Sequence, residues 1–228
     1  MHVPDGFLDV QTSVVTGVVA AGGVALALRK ARGELDDRTA PMAGLVAAFV
    51  FAGQMINFPV GAGTSGHLLG GALAAVLVGP WTGALCISVV LLVQALFMAD
   101  GGVTALGSNV TLMALVGCFS GYAIFRLVGA VLPRRVSSVA PAAAIGAFAS
   151  VPAAAAVFTL LFAIGGTTPI DTSTLLTAML GWHTVIGVGE AVITGLVVAS
   201  VVAARPDLVH GARHLVPVAE LEIRTVAA

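Results

Sequence analysis

Apolar residues along this chain do not alternate with polar ones; they run on almost unbroken, and polar positions gather between the runs. Seven such stretches can be drawn, roughly Val10 to Leu28, Pro41 to Asn57, His67 to Val78, Trp81 to Met98, Thr111 to Leu132, Val139 to Ile164 and Leu175 to Ala203. About 20 apolar residues in a helix cross a bilayer, so the pattern predicts an all-α bundle of seven transmembrane helices. The third stretch is short, Gly79-Pro80 behind it reads as a tight turn, and the preceding loop, Pro59 to Gly66, is expected to dip into the membrane.

Positive charge sets the orientation, because Lys and Arg favour the cytoplasmic side. Arg29, Lys30, Arg32 and Arg38 follow the first stretch, Arg126, Arg134 and Arg135 lie around the end of the fifth, and Arg205, Arg213 and Arg224 follow the seventh. With the N-terminus outside and strict alternation, all ten Lys and Arg fall on the cytoplasmic side, while Asp5, Asp9, Asp100 and Asp171 fall outside. Residues 1–204 are then one membrane domain, and residues 205–228 a short cytoplasmic tail that caps or docks.

Composition agrees. The chain is 58% hydrophobic and 9% charged, with mean hydropathy +1.06, against about 25% charged residues in soluble domains. Frequent glycine and alanine suit close helix packing in lipid. Cys86 and Cys118 both lie in apolar stretches and read as small hydrophobes. No Lys or Arg precedes the first stretch, so no cleaved leader is expected, and a Met followed by a bulky His is expected to be retained.

The candidate chemistry starts at the first residues, Met1-His2-Val3-Pro4-Asp5-Gly6-Phe7-Leu8. With His in second place, the terminal amine, the His2 backbone nitrogen and a His2 ring nitrogen can chelate one ion through a five-membered and a six-membered ring. Cu(II) and Ni(II) favour such tetragonal nitrogen sets, and one further imidazole completes four; His67, on the same face by the orientation above, is the candidate. Gly61-Ala62-Gly63-Thr64-Ser65-Gly66 has the dinucleotide-fingerprint spacing but joins two membrane helices rather than a strand and a helix, so it reads as loop backbone. There is no P-loop, hence no ATP site of that kind, and neither a zincin motif nor a nucleophile elbow. His183 and Glu190, two turns apart on one helix face, are intramembrane ionisable groups and functional candidates by default; Gln54 and Asn57 are placed to support ligating imidazoles or the Pro59 loop. His210 and His214 read as solvated side chains.

Four blocks together resemble one family: the first eight residues, Phe51-Ala52-Gly53-Gln54-Met55-Ile56-Asn57-Phe58-Pro59-Val60, residues 63–71, and Trp182-His183-Thr184-Val185-Ile186-Gly187-Val188-Gly189-Glu190-Ala191. They look like the CbiM/NikM family, the substrate-capturing S components of energy-coupling factor importers for cobalt and nickel. The resemblance implies an ion held by the Met1 amine, the His2 amide and ring nitrogens and the His67 ring. It also implies a transmembrane coupling protein, two ATPase subunits and usually a small membrane partner, in the plasma membrane. Faces of small residues, Gly17, Ala21 and Ala25 or Ala43, Ala47 and Ala48, are candidate partner contacts. Nickel and cobalt both suit nitrogen ligands, and the missing leader inclines the reading toward nickel. The rival readings are a self-sufficient permease or channel with His183 and Glu190 as its path, and an intramembrane enzyme.

Overall fold

The computed structural model describes residues 1–36, 39–61 and 64–216. Its helices are α1 (Val10–Lys30), α2 (Ala40–Gln54), α3 (Gly71–Val78), α4 (Pro80–Met98), α5 (Leu106–Val131), α6 (Val139–Gly165) and α7 (Thr172–Ala204). Among the described residues, five helical spans, at α1, α4, α5, α6 and α7, are long and apolar enough to cross a membrane, whereas α2 is shorter and α3 has only eight residues. Large apolar side chains such as Val10, Phe97, Val131 and Leu196 face outward, as in a protein whose solvent is lipid.

The ends of these helices follow from their residues. Asp9 caps α1 by accepting from Thr12 N at 2.7 Å, and Asp171 caps α7 by accepting from Thr174 N at 3.0 Å. Arg29 and Lys30 close α1, where the helix dipole favours cations. The expected turn at Gly79-Pro80 is there: Gly79, at φ +102, ends α3, and Pro80 opens α4 where its missing N–H costs nothing. Glu34, half a bundle away in sequence, receives Thr82 N at 2.7 Å and Thr82 Oγ1 at 2.9 Å, so a carboxylate completes that helix start.

Every residue of α3 is buried, which puts this half-length helix on the bundle axis. Small residues make that possible: a Cβ on Gly71 would stand 2.9 Å from the Gly117 carbonyl carbon, and one on Gly83 2.8 Å from Ala75 N. The helix starts four residues after His67, so His67–Gly70 forms a non-helical lead-in rather than the first turn that the sequence suggests. Ahead of it the backbone pairs with itself. Phe58–Gly61 (β1) and Thr64–Gly66 (β2) are antiparallel, Phe58 opposite Gly66 and Pro59 opposite Ser65. The expected irregular loop is thus a short ribbon, whose cross-strand bonds satisfy peptide groups that no helix serves. This excludes a nucleotide-binding strand-turn-helix around the glycine motif, of which Ala62 and Gly63 lie outside the described residues.

The two ends of the bundle differ in charge. One gathers the first nine residues, the ribbon, the segment after α4 and the turn between α6 and α7; the other gathers Arg29, Lys30, Arg134, Arg135 and Arg205. Arg38 and Arg224, counted in the charge pattern, lie outside the described residues, as does the tail beyond Val216. The described tail, Pro206–Leu215, forms two 3-10 turns, with Val209 and Ala212 buried and Arg213 Nη1 donating to Glu34 O at 3.1 Å. The expected small-residue faces are partly engaged within the bundle. A Cβ on Gly107 would meet Gly17 Cα at 2.4 Å, although the Cβ direction of Gly17 itself is open, and Ala43 and Ala47 pack partly against the core. Ala21, Ala25 and Ala48 remain exposed.

Candidate metal centre

Terminal residues are usually disordered unless something ties them down; here the tie is continuous. Asp9 N donates to Gly165 O at 2.7 Å, Leu8 bridges to Gly166, and Thr167 N donates to Phe7 O at 3.2 Å. Phe7 is wedged beside Phe158 and Phe162, with ring centres 5.7 and 5.1 Å away. Gly6 turns the chain at φ +74. Beyond it Asp5 Oδ1 accepts from Thr104 N and Oγ1, at 2.8 and 2.5 Å. Val3 is held on both sides of its peptide: its N–H donates to Asn109 Oδ1 at 2.7 Å, and its carbonyl accepts from Asn109 Nδ2 at 3.1 Å and Gly102 N at 2.9 Å. Met1 is fully buried.

The structure brings His2 and His67 together. Their rings stack with centres 4.5 Å apart and planes 28° apart, and both are buried. His67 Nδ1 lies 2.7 Å from Leu68 O, so that nitrogen carries the proton and Nε2 is a bare lone pair, buried without a partner. His2 Nε2 lies 3.2 Å from Gln94 Oε1. Its Nδ1, the nitrogen that closes a six-membered chelate with the His2 amide, lies 3.1 Å from Asp100 Oδ1, out of line for a hydrogen bond. Metal–nitrogen bonds of about 2.0 Å, with each ring centre about 1.1 Å further out, put imidazoles on adjacent corners of a square about 4.4 Å apart, and on opposite corners about 6 Å. The observed 4.5 Å is close to the adjacent-corner spacing, and the stacked rings have to turn edge-on before both can point a nitrogen at one ion. Burial lowers the Met1 amine to about 4, which leaves it neutral near pH 7 with a lone pair available. Among the described residues no three His, Cys, Asp or Glu side chains are grouped to hold an ion.

Several residues around the pair escaped sequence reading. Asn109, the clamp on Val3, and Asp100, beside His2, carry no site signal in a single sequence, and Gln94 shows only as a polar residue inside an apolar stretch. Both Gln94 and Asn109 border stretches of π-helix, Gln94–Met98 and Val110–Val116, irregularities that often accompany functional sites. Gln54 and Asn57, expected beside an imidazole or the Pro59 loop, act one step further out. Gln54 Nε2 donates to Leu69 O at 2.7 Å, and Asn57 Nδ2 to Asp100 Oδ2 at 3.2 Å. His183 is fully buried, its Nδ1 bonded to Met179 O at 2.8 Å and its Nε2 unpartnered. Glu190 accepts from the backbone N–H groups of Leu69 and Gly70. Cys86 and Cys118 are buried and free, as expected of small apolar residues. His214 is exposed, whereas His210, also expected in solvent, sits beside Tyr122 with ring centres 5.9 Å apart.

Residues 2–208 match the family model for the cobalt uptake substrate-specific transmembrane region. A putative metal transport protein of Haloquadratum walsbyi is 40% identical over 209 residues, covering 92% of this chain and 93% of its own length. A putative fused nickel transport protein, NikMN, of Archaeoglobus fulgidus is 38% identical over 210 residues, 92% of this chain and 68% of the relative. The cobalt transport protein CbiM of Sorangium cellulosum is 44% identical over 130 residues, 56% of this chain and 58% of the relative. A crystal structure of a truncated transition metal transporter superposes with a TM-score of 0.84 at 32% identity, covering 90% of this chain and 99% of that one. These relatives are metal transport proteins, which favours a transporter over the intramembrane enzyme. With the fold, the paired histidines and these likenesses in agreement, the chain belongs to the CbiM family of multi-pass nickel and cobalt transport membrane proteins.

Proposed function

We propose that this protein is the metal-capturing S component of an ATP-driven energy-coupling factor importer. Ni(II) or Co(II) enters from outside and is held by the Met1 amine, the His2 amide and Nδ1, and His67 Nε2. The topology in this reading has seven spans, an external N-terminus and a cytoplasmic tail, with α3 and its lead-in occupying one span together. A coupling protein, two ATPase subunits and a small membrane subunit supply the work, since the sequence carries no P-loop. The observation that carries the reading is the stacked His2–His67 pair beside a buried Met1, with a ring spacing suited to adjacent corners of a square.

The test is isothermal titration of Ni(II) and Co(II) into protein with an untagged amino terminus. One residue added before Met1, His2→Ala and His67→Ala should each remove high-affinity binding; unchanged affinity in all three overturns the site. A second reading, a self-sufficient permease, draws on the buried, unpartnered Nε2 of His183 above Glu190. Metal uptake by cells that lack any ATPase partner would favour it, and no uptake would rule it out.

A further inference from the structure

His67 is not placed by its own helix. It stands in the non-helical lead-in to α3, and that lead-in is bracketed by two other helices at Leu69. Gln54, the last residue of α2, donates to Leu69 O at 2.7 Å. From the opposite side Glu190 of α7 accepts from Leu69 N and, at 3.0 Å, from Gly70 N. Two successive N–H groups, the second from a glycine at φ +73, form a concave nest for an anion. A side chain at residue 70 would collide with Val50, since its Cβ would stand 2.7 Å from both Val50 methyl carbons. Glu190, Leu69 and Gln54 are all essentially buried, so water offers no replacement partner.

The spacing along α7 gives the bracket its reach. His183 lies two turns before Glu190 on the same buried stripe, about 10 Å nearer the N-terminal segment at 1.5 Å per residue. His67 is two residues from Leu69, so a chain fastened there can carry it no more than about 7 Å away. Without the carboxylate, the lead-in has two buried N–H groups and no acceptor.

We propose that Glu190 is a positioning residue for the metal site: by gripping the Leu69 and Gly70 N–H groups from α7, with Gln54 gripping the Leu69 carbonyl from α2, it fixes where His67 presents Nε2. This rests on the metal reading above and deepens it, because the ligand geometry then depends on the relative placement of α2 and α7.

The test uses the full chain with an untagged amino terminus, loaded with Ni(II), and follows the visible d–d absorption and the rate of loss to excess chelator. His67→Ala comes first. If that variant keeps wild-type affinity and spectrum, the metal reading fails, whatever Glu190 does. Where it loses both, Glu190→Leu should release Ni(II) about tenfold faster, the scale of one hydrogen bond to a charged group, with a shifted band. Glu190→Gln, which keeps an acceptor oxygen, and Gln54→Leu should each release it about threefold faster. A carboxylate that merely stabilised the fold would lower the melting temperature of the metal-free chain but leave rate and spectrum alone. That result in Glu190→Leu, or in Glu190→Gln and Gln54→Leu together where Glu190→Leu does not fold, overturns the proposal.

Discussion

Gly101 lies directly against the His2 ring: a Cβ built on it would stand 2.9 Å from His2 Cδ2 and 3.0 Å from Asn109 Nδ2, and its backbone sits at φ +87. No L side chain fits there without moving one of the two groups that orient the first residues. Gly101→Ala should therefore weaken Ni(II) binding by about tenfold or more, on strain of roughly 1–3 kcal/mol, while the chain still folds. Titration against wild type checks it, and equal affinity would show that the His2 ring is free to shift.

Asn109 holds both faces of the Val3 peptide. Asn109→Leu removes those bonds inside the bundle, at a cost of roughly 1–3 kcal/mol. The N-terminal segment should undock more often, so acylation of the Met1 amine in the metal-free chain should speed up about tenfold. An unchanged acylation rate would mean that Asp5 and Phe7 suffice to hold the segment.

The Met1 amine gives a pH dependence of defined sign. Burial holds it at about 4, against 8.0 for an exposed terminus. Between those values the undocked amine takes up a proton that the docked one refuses, so docking is favoured as pH rises from 4 to 8 and is lost as it falls. Protection of the Val3 and Gly102 amides from hydrogen exchange, corrected for intrinsic rates, should decline across that window. Metal binding should also weaken in acid, because the His2 amide must give up its proton, while the amine, already neutral near pH 7, adds none. Calorimetry in buffers of different ionisation enthalpy measures that release.

A partner helix on α2 should meet the exposed side, where Ala48 lies between the outward-facing Leu45 and Phe49. Ala48→Trp is expected to abolish copurification with the coupling protein and to leave Ni(II) affinity unchanged. Retained copurification would move the contact elsewhere.

The membrane character, the placing of the long helices and the closeness of His2 to His67 were all legible in the residues. Apolar runs report burial in lipid directly, and alternating the spans by their Lys and Arg sets His2 and His67 on one face. The lead-in to α3 is not legible, because an apolar run from His67 to Val78 looks the same whether or not its first four residues are helical; Gly70 at positive φ, which precedes the helix, is one glycine among 28. Glu34, Asp100 and Asn109 were missed for another reason. Their partners lie far away in sequence, backbone groups for Asn109, the Trp81 and Thr82 amides and the Thr82 hydroxyl for Glu34, and the His2 and Asn57 side chains for Asp100, and no local pattern encodes those.

The π-helical stretches at Gln94–Met98 and Val110–Val116 imply a constraint of length as well as identity. A π turn accommodates a residue more than a regular turn would, and each residue rotates a helix by about 100°. Deleting a single residue from either stretch would let the helix relax into ordinary winding and swing everything beyond it by that angle. Asp100 and Gly101, beyond the first stretch, would then leave the His2 ring, and the body of α5 beyond the second would turn against Asn109, although every amino acid at the site would still be present.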